Sequence, residues 1–74
     1  GGVGRSLMTA VAKQLIENGI SSLLVWVLTE NYPARNFYEK LGGELARTQK
    51  ITVGGQTVDE VGYGWLDVSS LIGE

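Results

Sequence analysis

The sequence predicts a small mixed α/β (α+β) fold, ordered helix–strand–helix–β-hairpin, around a small mixed sheet. Three observations predict it. Apolar residues recur at helical spacing in two segments, residues 7–16 and 34–41. An unbroken apolar run, SLLVWVL at residues 22–28, lies between them. Two extended stretches then flank Gly54-Gly55, the signature of a tight hairpin. A chain of 74 residues suffices for one domain, residues 1–74, with a thin core.

The first helix follows directly from the opening GGVGRSLM. Leu7, Met8, Val11, Ala12, Leu15 and Ile16 form two adjacent i, i+4, i+8 rows, a broad apolar face. Asn18-Gly19 supplies a C-terminal stop. A glycine-rich turn feeding a helix N-terminus presents free amides and the positive end of the dipole, which suits a phosphate or pyrophosphate. Initial glycines are equally compatible with a loose chain end. A P-loop would need Lys-Ser/Thr after its last glycine, where Arg5-Ser6 stands. A dinucleotide fingerprint would need a third glycine at Leu7.

The apolar run at residues 22–28 reads as a strand buried on both faces, the pattern of a parallel sheet. Whether the flanking helices share a face of the sheet is open at this level.

Residues 31–43, NYPARNFYEKLGG, carry the start and stop of the second helix. Asn31 can cap it, Pro33 sits where no amide donor is needed, and Gly42 can adopt the left-handed conformation that ends it. Ala34, Phe37, Tyr38 and Leu41 form one apolar stripe, with Arg35, Asn36, Glu39 and Lys40 on the other side. Asn31 and Tyr38 are about two turns apart, roughly 10 Å along the axis. A carboxamide and a phenol so aligned could serve a long, thin ligand. They read equally as a helix cap and a core residue with its hydroxyl at the rim.

Residues 44–53 and 56–67 are the hairpin arms. Val61, Tyr63 and Trp65 alternate with Gly62 and Gly64, leaving one face of the second arm almost bare. A bare strip lets a packed helix or a ligand lie close to the backbone. Val58 is out of phase with Val61, which points to a bulge near Asp59-Glu60. The tail, DVSSLIGE, shows no periodicity.

Composition narrows the chemistry. Six basic and eight acidic residues give a net charge of −2 without a basic cluster, which argues against nucleic acid or an anionic membrane as partner. With no cysteine and no histidine, this chain has no disulfide, no thiol nucleophile, no histidine base and no cysteine or histidine ligand for a metal. No segment has the pattern of a signal peptide or membrane span, so a cytoplasmic protein is expected.

The run N-x-x-A-x-x-F-Y-E-K-L-G, here Asn31, Ala34, Phe37, Tyr38, Glu39, Lys40, Leu41 and Gly42, resembles the acetyl-CoA-binding helix of the GNAT (GCN5-related) N-acetyltransferases. Gly2-Val3-Gly4 resembles the end of that family's Q/R-x-x-G-x-G/A signature, and the two motifs stand in the family's order. The resemblance implies the C-terminal half of a GNAT fold, a partial domain without its upstream strands and helices. It further implies acetyl transfer from acetyl-CoA to a primary amine, without a metal. The backbone amides of Gly2, Val3, Gly4, Arg5 and Ser6 would receive the CoA pyrophosphate, and Asn31 would contact the pantetheine arm. Tyr38 would be the general acid that protonates the departing thiolate. The base and the carbonyl-polarising group commonly lie upstream in the family; Glu30 is the nearby carboxylate in this chain. Gly43 departs from the family's usual Leu-Gly-Phe ending and removes a packing residue.

An alternative from another class is a non-catalytic α/β module that self-associates or binds a protein partner. Without upstream strands, the strand at residues 22–28 would keep an open apolar edge, and a homo-oligomer through that edge is expected.

Overall fold

The computed structural model describes residues 2–72; Gly1 of the glycine-rich opening and residues 73–74 of the tail lie outside them. Its elements, in order, are α1 (Gly2–Glu17), β1 (Leu23–Leu28), α2 (Tyr32–Lys40), β2 (Glu44–Val53), β3 (Gln56–Trp65) and a 3₁₀ turn (Val68–Leu71). This is the expected helix–strand–helix–hairpin order.

Both helices end in the manner the glycines dictate. At the end of α1, Gly19 has φ 77°, its amide donates to the Ile16 carbonyl, and the Ile20 amide donates to the Leu15 carbonyl. At the end of α2, Gly42 has φ 90°, its amide donates to Glu39, and the Gly43 amide donates to Tyr38. Each pair of bonds is a Schellman motif, which satisfies carbonyls the last helical turn leaves free. The start of α2 is capped as expected, with Asn31 Oδ1 accepting from the Ala34 amide at 3.3 Å.

The three strands form one sheet in the order β1-β3-β2, with both pairings antiparallel. A parallel, doubly buried β1 was expected from its unbroken apolar run. Instead β1 is an edge strand whose burial alternates: Val27 is buried and Leu23 and Val25 are half-buried, while Leu24, Trp26 and Leu28 are exposed. The cause is one-sided packing. Leu23, Val25 and Val27 stand opposite Trp65, Tyr63 and Val61. Onto that shared face pack Met8, Ala12 and Leu15 of α1, and Ala34, Tyr38 and Leu41 at α2. Among the described residues both helices therefore occupy the same face.

Neither of the two apolar rows of α1 is used in full: Met8, Ala12 and Leu15, drawn from both, pack on the core. Ala12 is completely buried, whereas Leu7, Val11 and Ile16 remain exposed because the small sheet spans a single stripe of the helix.

The hairpin turns at Gly54 and Gly55, with φ 56° and 81°, the two consecutive positive values that a type I′ turn requires. Val53 pairs with Gln56 across it. The irregularity in the ladder lies between Leu45 and Arg47 of β2, not near Asp59-Glu60. Asp59 and Glu60 pair in regular register with Lys50 and Gln49. The bare strip of β3 is filled by β1: a Cβ on Gly62 would stand 3.1 Å from Leu24 Cδ1 and 3.3 Å from the Trp26 ring.

The tail contributes core that no periodicity announced. Val68 is fully buried and Leu71 nearly so. The Val68 amide donates to the Ser21 carbonyl at 2.8 Å, and Thr9 Oγ1 donates to the Leu71 carbonyl at 3.0 Å. These bonds anchor the 3₁₀ turn to α1 and to the loop that follows it.

Candidate active site

The glycines at the start of the chain are helical. Because α1 begins at Gly2, the residues Gly2, Val3, Gly4, Arg5 and Ser6 form its opening turn and a half rather than a turn ahead of it. An α-helix leaves its first amides without carbonyl partners, so Gly2, Val3 and Gly4 carry the free donors. The Ser6 amide falls within the i→i−4 ladder that starts at Gly2. A ligand's phosphate would meet the first three amides before the last two.

Gly4 has a second role. A Cβ there would lie 3.0 Å from the Phe37 ring, so a bare position lets α1 come down on α2. Where the helices meet, Gly2, Arg5, Pro33, Asn36, Phe37 and Lys40 line a shallow groove of 330 Å³. It combines a helix N-terminus with two cationic side chains, Arg5 and Lys40, a combination suited to an anion.

Asn31 lies elsewhere. With Glu30, Leu28, Thr57 and Asp59 it lines a groove of 560 Å³ at the end of β1. Its side-chain oxygen serves the Ala34 amide. Tyr38 stands in an aromatic cluster, its ring edge-on to Phe37 at 5.2 Å and to Trp65 at 6.1 Å, and tilted against Tyr63 at 6.3 Å. The residue is half-buried, and its hydroxyl enters none of the hydrogen bonds among the described residues. The core and catalytic readings of Tyr38 are thus compatible: the ring packs and the hydroxyl is uncommitted. The cavities divide the expected site residues, with Gly2 and Arg5 on one groove and Glu30 and Asn31 on the other.

One polar cluster was not visible in the sequence. Tyr63 is completely buried, and its hydroxyl accepts from Arg35 Nε at 3.0 Å and donates to Glu39 Oε2 at 2.5 Å. Arg35 Nη1 also donates to the Thr29 carbonyl at 2.9 Å. Arg35 therefore reaches the sheet, although its spacing puts it on the side of α2 away from the apolar stripe. Its hydrogen bond with Tyr63 holds the guanidinium pKa above its ordinary value, against a smaller opposing effect of burial. The available signal was the opposite-charge pair Arg35/Glu39 at i, i+4; its partner on β3 depends on strand order, which the sequence does not display.

Comparison with known proteins gives this geometry a context. The family model described as FR47-like protein matches residues 1–52, most of the chain. The chain belongs to the FR47-like family. A curated relative, the uncharacterized N-acetyltransferase YuaI of Bacillus subtilis, is 37% identical over 70 residues, 95% of this chain and 40% of that protein. The crystal structure of smu.2055 from Streptococcus mutans superposes with a TM-score of 0.70 at 30% identity, covering 90% of this chain and 42% of the other. An N-acetyltransferase structure from Staphylococcus aureus superposes with a TM-score of 0.78 at 24% identity, covering 92% of this chain and 44% of the other, and shares the fold. This FR47-like chain is thus of GNAT type, as the residues from Asn31 to Gly42 implied. It spans about two fifths of the length of these relatives. Its described helices include none long and apolar enough to cross a membrane.

Proposed function

We propose that this chain carries the acetyl-CoA-binding half of an N-acetyltransferase that transfers an acetyl group from acetyl-CoA to a primary amine. The observation that carries the reading is the groove where the first turn of α1 meets α2 at Gly4 and Phe37, edged by Arg5 and Lys40. The amides of Gly2, Val3 and Gly4, with Arg5 and Ser6 behind them, would hold the pyrophosphate of the co-substrate. Asn31 would meet the pantetheine arm through the part of its carboxamide that the cap does not use.

In the transfer, the amine nitrogen attacks the thioester carbonyl carbon, the C–S bond breaks, and the CoA sulfur takes a proton. Tyr38 would donate that proton, since a phenol is protonated at neutral pH and this hydroxyl has no competing partner among the described residues. The ammonium proton of the acceptor would first go to a base, which in the family commonly lies upstream of this segment, and the second proton, shed by the nitrogen as the amide forms, would restore the Tyr38 phenol. The chemistry asks no metal of this chain. The cytoplasm is the setting this proposal assumes. Support comes from YuaI, a relative named as an N-acetyltransferase that aligns with 95% of the chain.

Calorimetric titration with acetyl-CoA tests the reading. Saturable binding by the native chain that disappears when residues 1–4 are removed is the expected result. A folded chain that does not bind acetyl-CoA overturns it.

A second reading, self-association, rests on a different observation. Among the described residues, strand β1 pairs with β3 along one edge only, and Leu24, Trp26 and Leu28 are exposed beside the other edge. A second copy adding its own β1 would satisfy both the backbone groups and the apolar side chains.

A further inference from the structure

We propose that Tyr63 is a positioning residue: acting through Arg35 and Glu39, it fixes α2 and, through Arg35, the turn that places Asn31. The inference rests on the acetyltransferase reading for its functional consequence, and on geometry alone for its mechanical one.

Helix α2 has nine residues, and its start hangs from a short turn after β1. Two polar side chains one turn apart, Arg35 and Glu39, both reach the Tyr63 hydroxyl at the centre of the sheet. That hydroxyl accepts one bond and donates the other, so each partner defines what the remaining one must be. Arg35 then extends its second arm to the Thr29 carbonyl, two residues before Asn31. A planar guanidinium bonded in two directions constrains orientation in a way a single ammonium does not. Tyr63 thereby holds the helix body and, through Arg35, the turn from which Asn31 caps the helix. The Tyr63 ring also lies against the ring of Tyr38, the other proposed site residue on α2.

The variant Tyr63→Phe keeps the buried ring and removes only the hydroxyl. Amide hydrogen exchange in the chain without ligand gives a readout independent of acetyl-CoA. The α2 amides from Arg35 to Glu39 should exchange roughly tenfold faster in Tyr63→Phe, with those around Ala12 in α1 unchanged. Glu39→Ala should act in the same direction, and Glu39→Gln, which retains an acceptor for the hydroxyl, should restore most of the protection. Exchange that rises equally in α1 and α2, or in neither, overturns the proposal, because Tyr63 would then be ordinary core.

The functional arm is a double-mutant cycle on acetyl-CoA affinity. Tyr63→Phe should weaken binding by about tenfold alone and much less in an Asn31→Ala background, as expected for residues acting in one network. Additive losses overturn the link to Asn31. A native chain that does not bind acetyl-CoA refutes the acetyltransferase reading instead, and the exchange pattern still decides whether Tyr63 positions α2.

Discussion

The indole of Trp65 occupies the space that a side chain on Gly43 would need. A Cβ at Gly43 would lie 2.7 Å from Trp65 Cζ2 and 3.0 Å from the Tyr38 carbonyl. A hydrogen bond holds the indole there, with Nε1 donating to the Leu41 carbonyl at 3.1 Å. What reads in the sequence as a missing packing residue is a position already filled from β3. Gly43→Ala is therefore expected to destabilise the fold by about 1–3 kcal/mol, the usual cost of overpacking. In a Trp65→Leu background the same change should cost much less. Urea unfolding of the four proteins of this cycle measures the coupling, and equal costs in both backgrounds would show that the indole is not what excludes the side chain.

The uncommitted hydroxyl of Tyr38 separates catalysis from packing. Tyr38→Phe preserves the ring contacts with Phe37, Tyr63 and Trp65. Stability should stay within about 0.5 kcal/mol of the native chain, since the hydroxyl forms no bond among the described residues. Affinity for acetyl-CoA should also hold. Loss of a general acid should lower kcat toward an amine acceptor by roughly 10²- to 10⁴-fold. An unchanged kcat would leave Tyr38 a packing residue.

Local chemistry made part of this fold legible. The Asn31 cap, the left-handed Gly19 and Gly42, and the Gly54-Gly55 turn each follow from conformations that few residues favour. Features that depend on which strands meet were not legible. The apolar run of β1 could not reveal that its alternate side chains face outward, because every position is apolar. Its neighbour's glycines are what allow Leu24 and Trp26 to lie down on the sheet. The broken phase at Val58 points to a bulge on β3, but the bulge lies on β2, where no residue marks it. Around the candidate site, the capping role of Asn31 was readable, but not the tie between Arg35 and Tyr63. The last requires β3 to sit beside β1, a fact of topology rather than of spacing.

Acid should remove the contribution that the Asp67 carboxylate makes to stability. Ser69, through its hydroxyl first and its backbone amide second, holds the Asp67 carboxyl below the ordinary carboxylate range. A folded-state pKa below the unfolded one means that the folded state binds fewer protons between the two values. This contribution is present above the unfolded pKa, about 3.9 for aspartate, and is lost as pH falls through the folded value. Asp67→Asn retains a capping oxygen but not the charge. Its stability should fall slightly at neutral pH and match the native chain at the acidic end, flattening the acid limb of the profile. Thermal melts of the two proteins across that range test this, and parallel profiles would show that the Asp67–Ser69 contact does not couple to folding.

The free edge of β1 predicts association. A strand of six residues with one unpaired edge, flanked by exposed Leu24, Trp26 and Leu28, presents backbone donors and acceptors beside apolar surface. Natural edge strands are commonly protected by charge, proline or a covering element, and this strand has only apolar residues. Light scattering of the native chain at micromolar concentration should therefore report a dimer or larger species. Leu24→Lys places a charge on the edge strand at a side chain already 37% exposed, so it should shift the population toward monomer without unfolding the chain. Acetyl-CoA binding should survive that change if the cofactor groove between α1 and α2 is independent of the edge. A native chain that is already monodisperse and monomeric removes the self-association reading and leaves the proposed pyrophosphate groove untouched, because none of the residues lining that groove lies on β1.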